Sequence, residues 1–197
     1  MAKNTSELPV MTFADPQSLE RWLDEHGDTS PGIRLRIAKK NSDIVTVSYS
    51  EALEAALCYG WVDSQKEAFD EGSWLQRFTP RGAKSIWSKI NKEKAEQLIK
   101  DGRMKPAGYK AIEAAQKNGN WDKAYESQSV ASLPEDFAAE LARNAKAQAF
   151  YETLGRQNKY AIVFRIHNAK KQETREKRIR QFIEMLEKGE KIYPDSP

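Results

Sequence analysis

The sequence predicts an α+β protein: a four-stranded antiparallel sheet with flanking helices, followed by a C-terminal all-α segment packed on it. Three observations carry this expectation. Ile33, Leu35 and Ile37 alternate with Arg34 and Arg36, and Val45 and Val47 alternate with Thr46 and Ser48, which is the period of a half-buried strand. Trp61 to Phe69 and Ser73 to Phe78 flank Asp70-Glu71-Gly72, the composition of a hairpin turn. Beyond Leu133 every apolar run has helical spacing.

The elements follow in order. Asp15-Pro16 ahead of Leu19, Trp22 and Leu23, with Gly27 beyond, predicts a capped amphipathic helix. The turn-like Asn41-Ser42-Asp43 joins the first two strands. Ser48 and Glu51 have capping-box spacing, so a short helix is predicted from Tyr49 to Tyr59, ending at Gly60. The hairpin comes next, and Pro80 stops its second strand. A helix starting at Ser85 or Ser88 carries Trp87, Ile90, Ala95, Leu98 and Ile99 to Gly102. Another opens at Pro106 with Tyr109, Ile112 and Ala115 inward. Glu126-Ser127-Gln128-Ser129 reads as a linker. Four helices then centre on Phe137 and Leu141, on Phe150 to Leu154, on Ile162 to Ile166, and on Ile179 to Leu186. The expected domains are 1–128 and 129–197. Neither half buries much apolar surface alone, which is the reason for expecting them to pack together.

Composition limits the chemistry. The chain has 197 residues, 39% hydrophobic and 31% charged, with a net charge of +3. That permits a core and names no partner by itself. One cysteine, Cys58, forbids an internal disulfide, and two histidines, His26 and His167, make a histidine-rich metal centre unexpected. No metal site and no cofactor are expected. The N-terminus is polar and lacks a charged-then-apolar signal pattern, and no apolar run approaches the roughly 20 residues of a membrane helix. The expected location is cytoplasmic.

The densest chemistry lies between Cys58 and Met104, where three of the five tryptophans sit near charged or hydroxyl side chains. Arg77, Arg81, Ser85 and Ser88 surround a predicted helix start, whose free N–H groups and partial positive charge suit an anion. Asp63, Trp87, Asn91 and Arg103 complete the expected ligand-binding set. Against this stands the plainer reading that Ser85 or Ser88 caps the helix while Arg77 and Arg81 pair with Asp63 or Glu51. An Asp–Arg pair also suits Asp63 better than a general base does. No nucleophile, metal or second acid stands at a telling spacing, so no catalytic residue is assigned. Trp61, Trp74 and Trp87 suit the core better than a stacking pocket. Cys58, among Leu57 and Tyr59, reads as a buried inert thiol.

A second cluster is basic. From Arg156 to Arg180 nine cations face two carboxylates, Glu173 and Glu176. Lys170, Lys171, Arg175 and Arg178 are the candidate contacts to nucleic-acid phosphates. A solvated helical face is the competing reading, favoured because the run matches no helix-turn-helix signature.

Several stretches together resemble a known family. They are Glu51-Ala52 with Ala56-Leu57-Cys58-Tyr59-Gly60-Trp61-Val62-Asp63, then Arg77-Phe78-Thr79-Pro80-Arg81, Ser85-Ile86-Trp87-Ser88, Asn91 and Gly102-Arg103-Met104. Leu133-Pro134-Glu135-Asp136, Phe150, Ala169 to Arg175 and Arg178-Ile179 continue the pattern. The chain resembles the YdeI/OmpD-associated (bacteriocin-protection-like) family from about Phe13 to Gly189. The resemblance implies a bacterial accessory protein, linked by name to an outer-membrane porin and to tolerance of cationic peptides or bacteriocins. It brings no established reaction. The expected function is therefore a non-catalytic stress-tolerance role with a small anion or a partner protein as ligand. A nucleic-acid-binding module is the alternative.

Overall fold

In the computed structural model, which describes residues 8–126, 132–169 and 171–194, four strands form one sheet in the order β1-β2-β4-β3. They are β1 (Val10–Met11), β2 (Ile33–Ala38), β3 (Trp61–Ala68) and β4 (Ser73–Pro80). The chain divides into two compact units, Met1–Ala124 and Tyr125–Pro197.

The sheet is mixed, which corrects the antiparallel expectation. β2 and β4 pair antiparallel, as do β4 and β3, but β1 runs parallel to β2 with Val10 opposite Arg34. A parallel neighbour needs a crossover, and helix α1 (Pro16–His26) supplies it. Val45 to Val47 is not a strand. β1 covers one edge of β2 only at Arg34 and Leu35, and beyond it this segment lies alongside without a backbone ladder: Ala38 N–H donates to the Thr46 side chain at 2.9 Å, and Val47 N–H donates to the Phe13 carbonyl at 2.8 Å. An alternating pattern reports a face to bury; it does not say whether the backbone forms a ladder.

The helices of this unit start where their caps require. Asp15 and Ser48 each complete a capping box, opening α1 and α2 (Tyr49–Cys58). Ser88 caps α3 (Lys89–Lys100), and Pro106 opens α4 (Pro106–Lys117). Ile33, Leu35 and Ile37 bury one face of β2. Leu19 and Leu23 of α1 and Ala52 and Ala56 of α2 close on that face, beside Trp61 and Phe78. The expected inward set errs at two places: Ile90 and Tyr109 are exposed, and Gly108 takes the inward position beside Ile112.

Among the described residues the second unit is wholly helical: α5 (Glu135–Ala142), α6 (Ala145–Thr153), α7 (Arg156–His167) and α8 (Gln172–Glu187). Phe137, Leu141, Ile162, Ile166, Ile179 and Leu186 form its core. Asn158 holds the following chain against α7, donating to the Tyr193 carbonyl and accepting from Tyr193 N–H.

Candidate functional site

Two glycines bring the end of α2 and the start of α4 close together. Gly60 ends the turn after α2 at φ 70°, and a Cβ there would lie 2.6 Å from the Ala107 carbonyl oxygen. At Gly108 a Cβ would lie 2.3 Å from the Cys58 carbonyl oxygen. Their missing side chains let the end of α2 and the start of α4 touch backbone to backbone, and Lys105 N–H donates to the Cys58 carbonyl at 3.1 Å. Arg81 N–H donates to the Gly60 carbonyl at 3.0 Å, which ties the end of β4 to the same corner.

Around this junction opens a cleft of about 450 Å³. That is the size range of small-molecule sites. Its floor includes Tyr59, Gly60 and Trp61, one wall is Ala107, Ala111 and Ala114 of α4, and Arg81, Lys110 and Asp28 stand at its sides. A smaller recess of about 180 Å³ shares Gly27, Asp28, Tyr59, Pro106 and Ala107 with it and adds Asp24 and Lys105. Among the described residues no ion pair engages Lys110, Asp24 or Asp28. Lys110 is exposed.

Two groups at the end of α2 are held protonated. Burial is the larger cause that raises the Tyr59 phenol well above its ordinary range, and the neighbouring Asp24 carboxylate adds to it. The Tyr59 hydroxyl is buried and makes no hydrogen bond of acceptable geometry. Burial pushes the Cys58 thiol up to about 11, so it is an inert thiol at neutral pH.

The residues singled out from sequence are placed as follows. Arg81 lines the cleft. Its guanidinium carbon sits 3.7 Å from the centroid of the Trp87 ring, and Nη1 donates to the Ile86 carbonyl at 3.2 Å. Trp87 is buried at 1% exposure, edge-on to Trp121 with ring centroids 4.9 Å apart. Ser85 lies in the turn before α3, with its carbonyl accepting from Asn120 Nδ2 at 3.1 Å, while Asn118 Nδ2 reaches the Ala83 carbonyl. These two asparagines at the end of α4 fix the shape of the 81–88 turn. The α3 cap is Ser88, whose Oγ accepts from Asn91 N–H at 3.1 Å. Arg77 lies on β4 beside Gln65 of β3. Asp63 accepts from the Tyr49 hydroxyl at 2.8 Å, so its partner is a phenol and not the expected arginine. Arg103 binds Glu54 at 2.7 Å, with Glu20 at 3.8 Å. The structure thus groups Arg81, Ser85, Trp87, Ser88 and Asn91 around one turn. Asp63 and Arg77 lie on the β3–β4 pair, and Arg103 lies by α2.

Tyr59, Lys110, Asp24 and Asp28 were not singled out. Tyr59 stands inside the crowded Cys58–Asp63 run, where it marks the end of the predicted helix. Nothing in the spacing of Lys110, Asp24 and Asp28 relates them, because only the approach of α4 to α2 brings them together.

In the basic helices two of the four candidate cations are engaged. Arg175 forms a two-pronged pair with Asp136 at 2.6 and 2.8 Å, and its third nitrogen donates to the Ile166 carbonyl at 3.1 Å. Arg178 Nη1 donates to the Arg165 carbonyl. Lys171 is exposed ahead of α8, and Lys170 lies outside the described residues. The Arg175 guanidinium, chiefly through its hydrogen bonds, holds the Asp136 carboxyl below its ordinary range. A lowered folded pKa contributes stability above the unfolded value, and that stability is lost as pH falls through the folded one. Asp136→Asn should therefore cost about 1 kcal/mol at pH 7, a figure kept small by solvent screening of the pair. The difference between the two proteins should shrink in acid, as pH falls below the ordinary carboxylate range and through the lowered folded pKa. Urea unfolding of both proteins along an acid pH series checks this.

Among the described residues no group of three or more His, Cys, Asp or Glu is placed to hold a metal ion, and no helix is long and apolar enough to cross a membrane. Two family models match the chain. Residues 11–111, just over half of its length, match the model described as a domain of unknown function, DUF8412. Residues 130–189 match the model described as Bacteriocin-protection, YdeI or OmpD-Associated. The resemblance to the YdeI/OmpD-associated family is thus borne out for the second unit's segment, while the Cys58–Met104 run falls within the span of the other model. No curated protein and no solved structure matches the chain.

Proposed function

The chain belongs to the DUF8412 family, and from that premise and the cleft's geometry we propose that it is a non-catalytic accessory protein that holds a small anion in its first unit. The cytoplasm is its proposed place of action. The observation that carries this reading is the cleft of about 450 Å³ with Arg81 and Lys110 at its sides. Arg81 is held by the Trp87 ring and the Ile86 carbonyl, so its position costs an incoming anion little ordering. Lys110 adds a second cation one turn inside α4, whose first turn carries N–H groups without helical partners. The accessory role in tolerance of bacteriocins rests on the description of the second unit's matching family.

Sulfate or phosphate is the probe. At a concentration about ten times its dissociation constant, an anion stabilises the folded state by about 1.4 kcal/mol, which raises the melting temperature by roughly 4–8 °C for a unit of this size. Lys110→Ala should remove most of that rise and Arg81→Ala all of it. Lys110 is exposed, so its variant folds normally and serves as the clean comparison. Equal rises in all three proteins would mean that the salt acts by exclusion from the surface, and would defeat the proposal.

A further inference from the structure

We infer that the ligand of this cleft is an organic monoanion, its charged head beside Arg81 and Lys110 and its uncharged, apolar body lying along α4. This rests on the anion-binding reading and adds the chemistry of the rest of the ligand.

The cleft is larger than its charged groups can use. At about 450 Å³ it falls within the roughly 300–1,000 Å³ of sites that enclose organic molecules. Two cations surround one small anionic group, so most of the space is left for another part of the ligand. The α4 wall suits an apolar one. Ala107, Ala111 and Ala114 recur at helical spacing and line the opening from one face of the helix, with Pro106 at its start. All three alanines are half-buried, and Pro80, which also lines the cleft, is exposed. The polar atoms of the floor are withdrawn from the opening: Trp61 Nε1–H donates to the Gly27 carbonyl at 3.2 Å, and the Tyr59 hydroxyl is buried. Water against such a surface is poorly partnered, and an apolar group that displaces it gains affinity.

Asp28 limits the charge. It lines the smaller recess as well as the cleft, as do Pro106 and Ala107, whereas Arg81, Lys110, Ala111 and Ala114 line the cleft alone. The carboxylate therefore stands at the recess end, and Ala114 lies about 10 Å along α4 from Ala107. Asn118 Nδ2 donates to the Ala83 carbonyl, which sets the Arg81–Ala83 turn toward the other end of α4. A second negative group on the ligand would meet Asp28 as a like charge, which disfavours a dianion. One charged head with an apolar body is the layout that remains.

Calorimetric titration with acetate, butyrate, hexanoate and adipate, alongside phosphate, separates the outcomes. Affinity should rise with chain length and differ about tenfold or more between acetate and hexanoate, as partial burial of four methylene groups requires. Adipate, of hexanoate's length with a second carboxylate, should bind several-fold more weakly than hexanoate, and Asp28→Asn should narrow that gap. Ala114→Leu fills the wall with a good helix former. It should remove most of the hexanoate advantage and leave phosphate binding intact. Ala114 is the better position than Ala111, whose Cβ would lie 3.2 Å from a Cβ at Gly60. The chain-length series uses the unaltered protein, so it decides the matter whether or not that variant folds. Equal binding of acetate and hexanoate, with phosphate still bound, overturns the apolar body and leaves the anion site standing. Adipate binding as tightly as hexanoate overturns the single head, and an undiminished hexanoate advantage in Ala114→Leu overturns its placement on α4. No binding of phosphate or of any carboxylate overturns both readings.

Discussion

Replacing Trp87 by alanine should lower the stability of the first unit by about 3–5 kcal/mol, the usual cost of truncating a large buried aromatic. The indole is 1% exposed, stands edge-on to Trp121 and carries Arg81 on its face at 3.7 Å. Truncation opens a cavity and removes the stacking that positions Arg81, so the anion response should disappear with the stability. Urea unfolding followed by the fluorescence of the remaining tryptophans measures the first effect. A loss below about 1 kcal/mol would show that the ring contributes little packing, contrary to its burial.

Gly108→Ala should cost about 2–4 kcal/mol, because the new methyl group meets atoms that cannot yield. It would lie 2.3 Å from the Cys58 carbonyl oxygen and 2.3 Å from the Met104 sulfur. The sulfur can swing away, but the carbonyl is fixed by the Lys105 N–H bond, so α4 must move off α2. Gly102→Ala is the control. Gly102 has φ 68° with nothing near its missing Cβ, so only the left-handed backbone opposes alanine there, at about 1–2 kcal/mol. If the two variants lose the same stability, close approach is not the reason for Gly108. The Gly108 variant should also lose the cleft, since one wall belongs to α4 and the floor is the Tyr59–Trp61 stretch that follows α2.

Local signals in the sequence were read well and long-range ones poorly. The capping boxes at Asp15 and Ser48, Pro106 at the start of α4 and the Asp70–Gly72 turn each act within a few residues. Each was legible because the interaction and the motif occupy the same few positions. β1 was missed because two residues make too short an alternation to notice, and its role depends on β2 offering an edge 20 or more residues away. Val45 to Val47 was misread for the complementary reason. In the candidate site, Arg81 was found since helix starts and arginines cluster visibly along the chain. Asp24, Asp28 and Lys110 were not, because their meeting depends on Gly60 and Gly108 allowing α4 against α2. The basic run shows the opposite error in kind. Its charge was visible, but its use was not: Arg175 and Arg178 tie α8 to its neighbours within the second unit.

The most direct measurement for the anion site is a two-dimensional NMR titration of the isotope-labelled chain with phosphate. Saturable shifts should concentrate at Tyr59 to Trp61, Arg81 to Ala83 and Ala107 to Ala114, the residues that line the cleft. They should be lost in Lys110→Ala. Shifts confined to residues 171–180 of the basic helix, with the cleft silent, would contradict the account and turn attention to phosphate binding by the second unit.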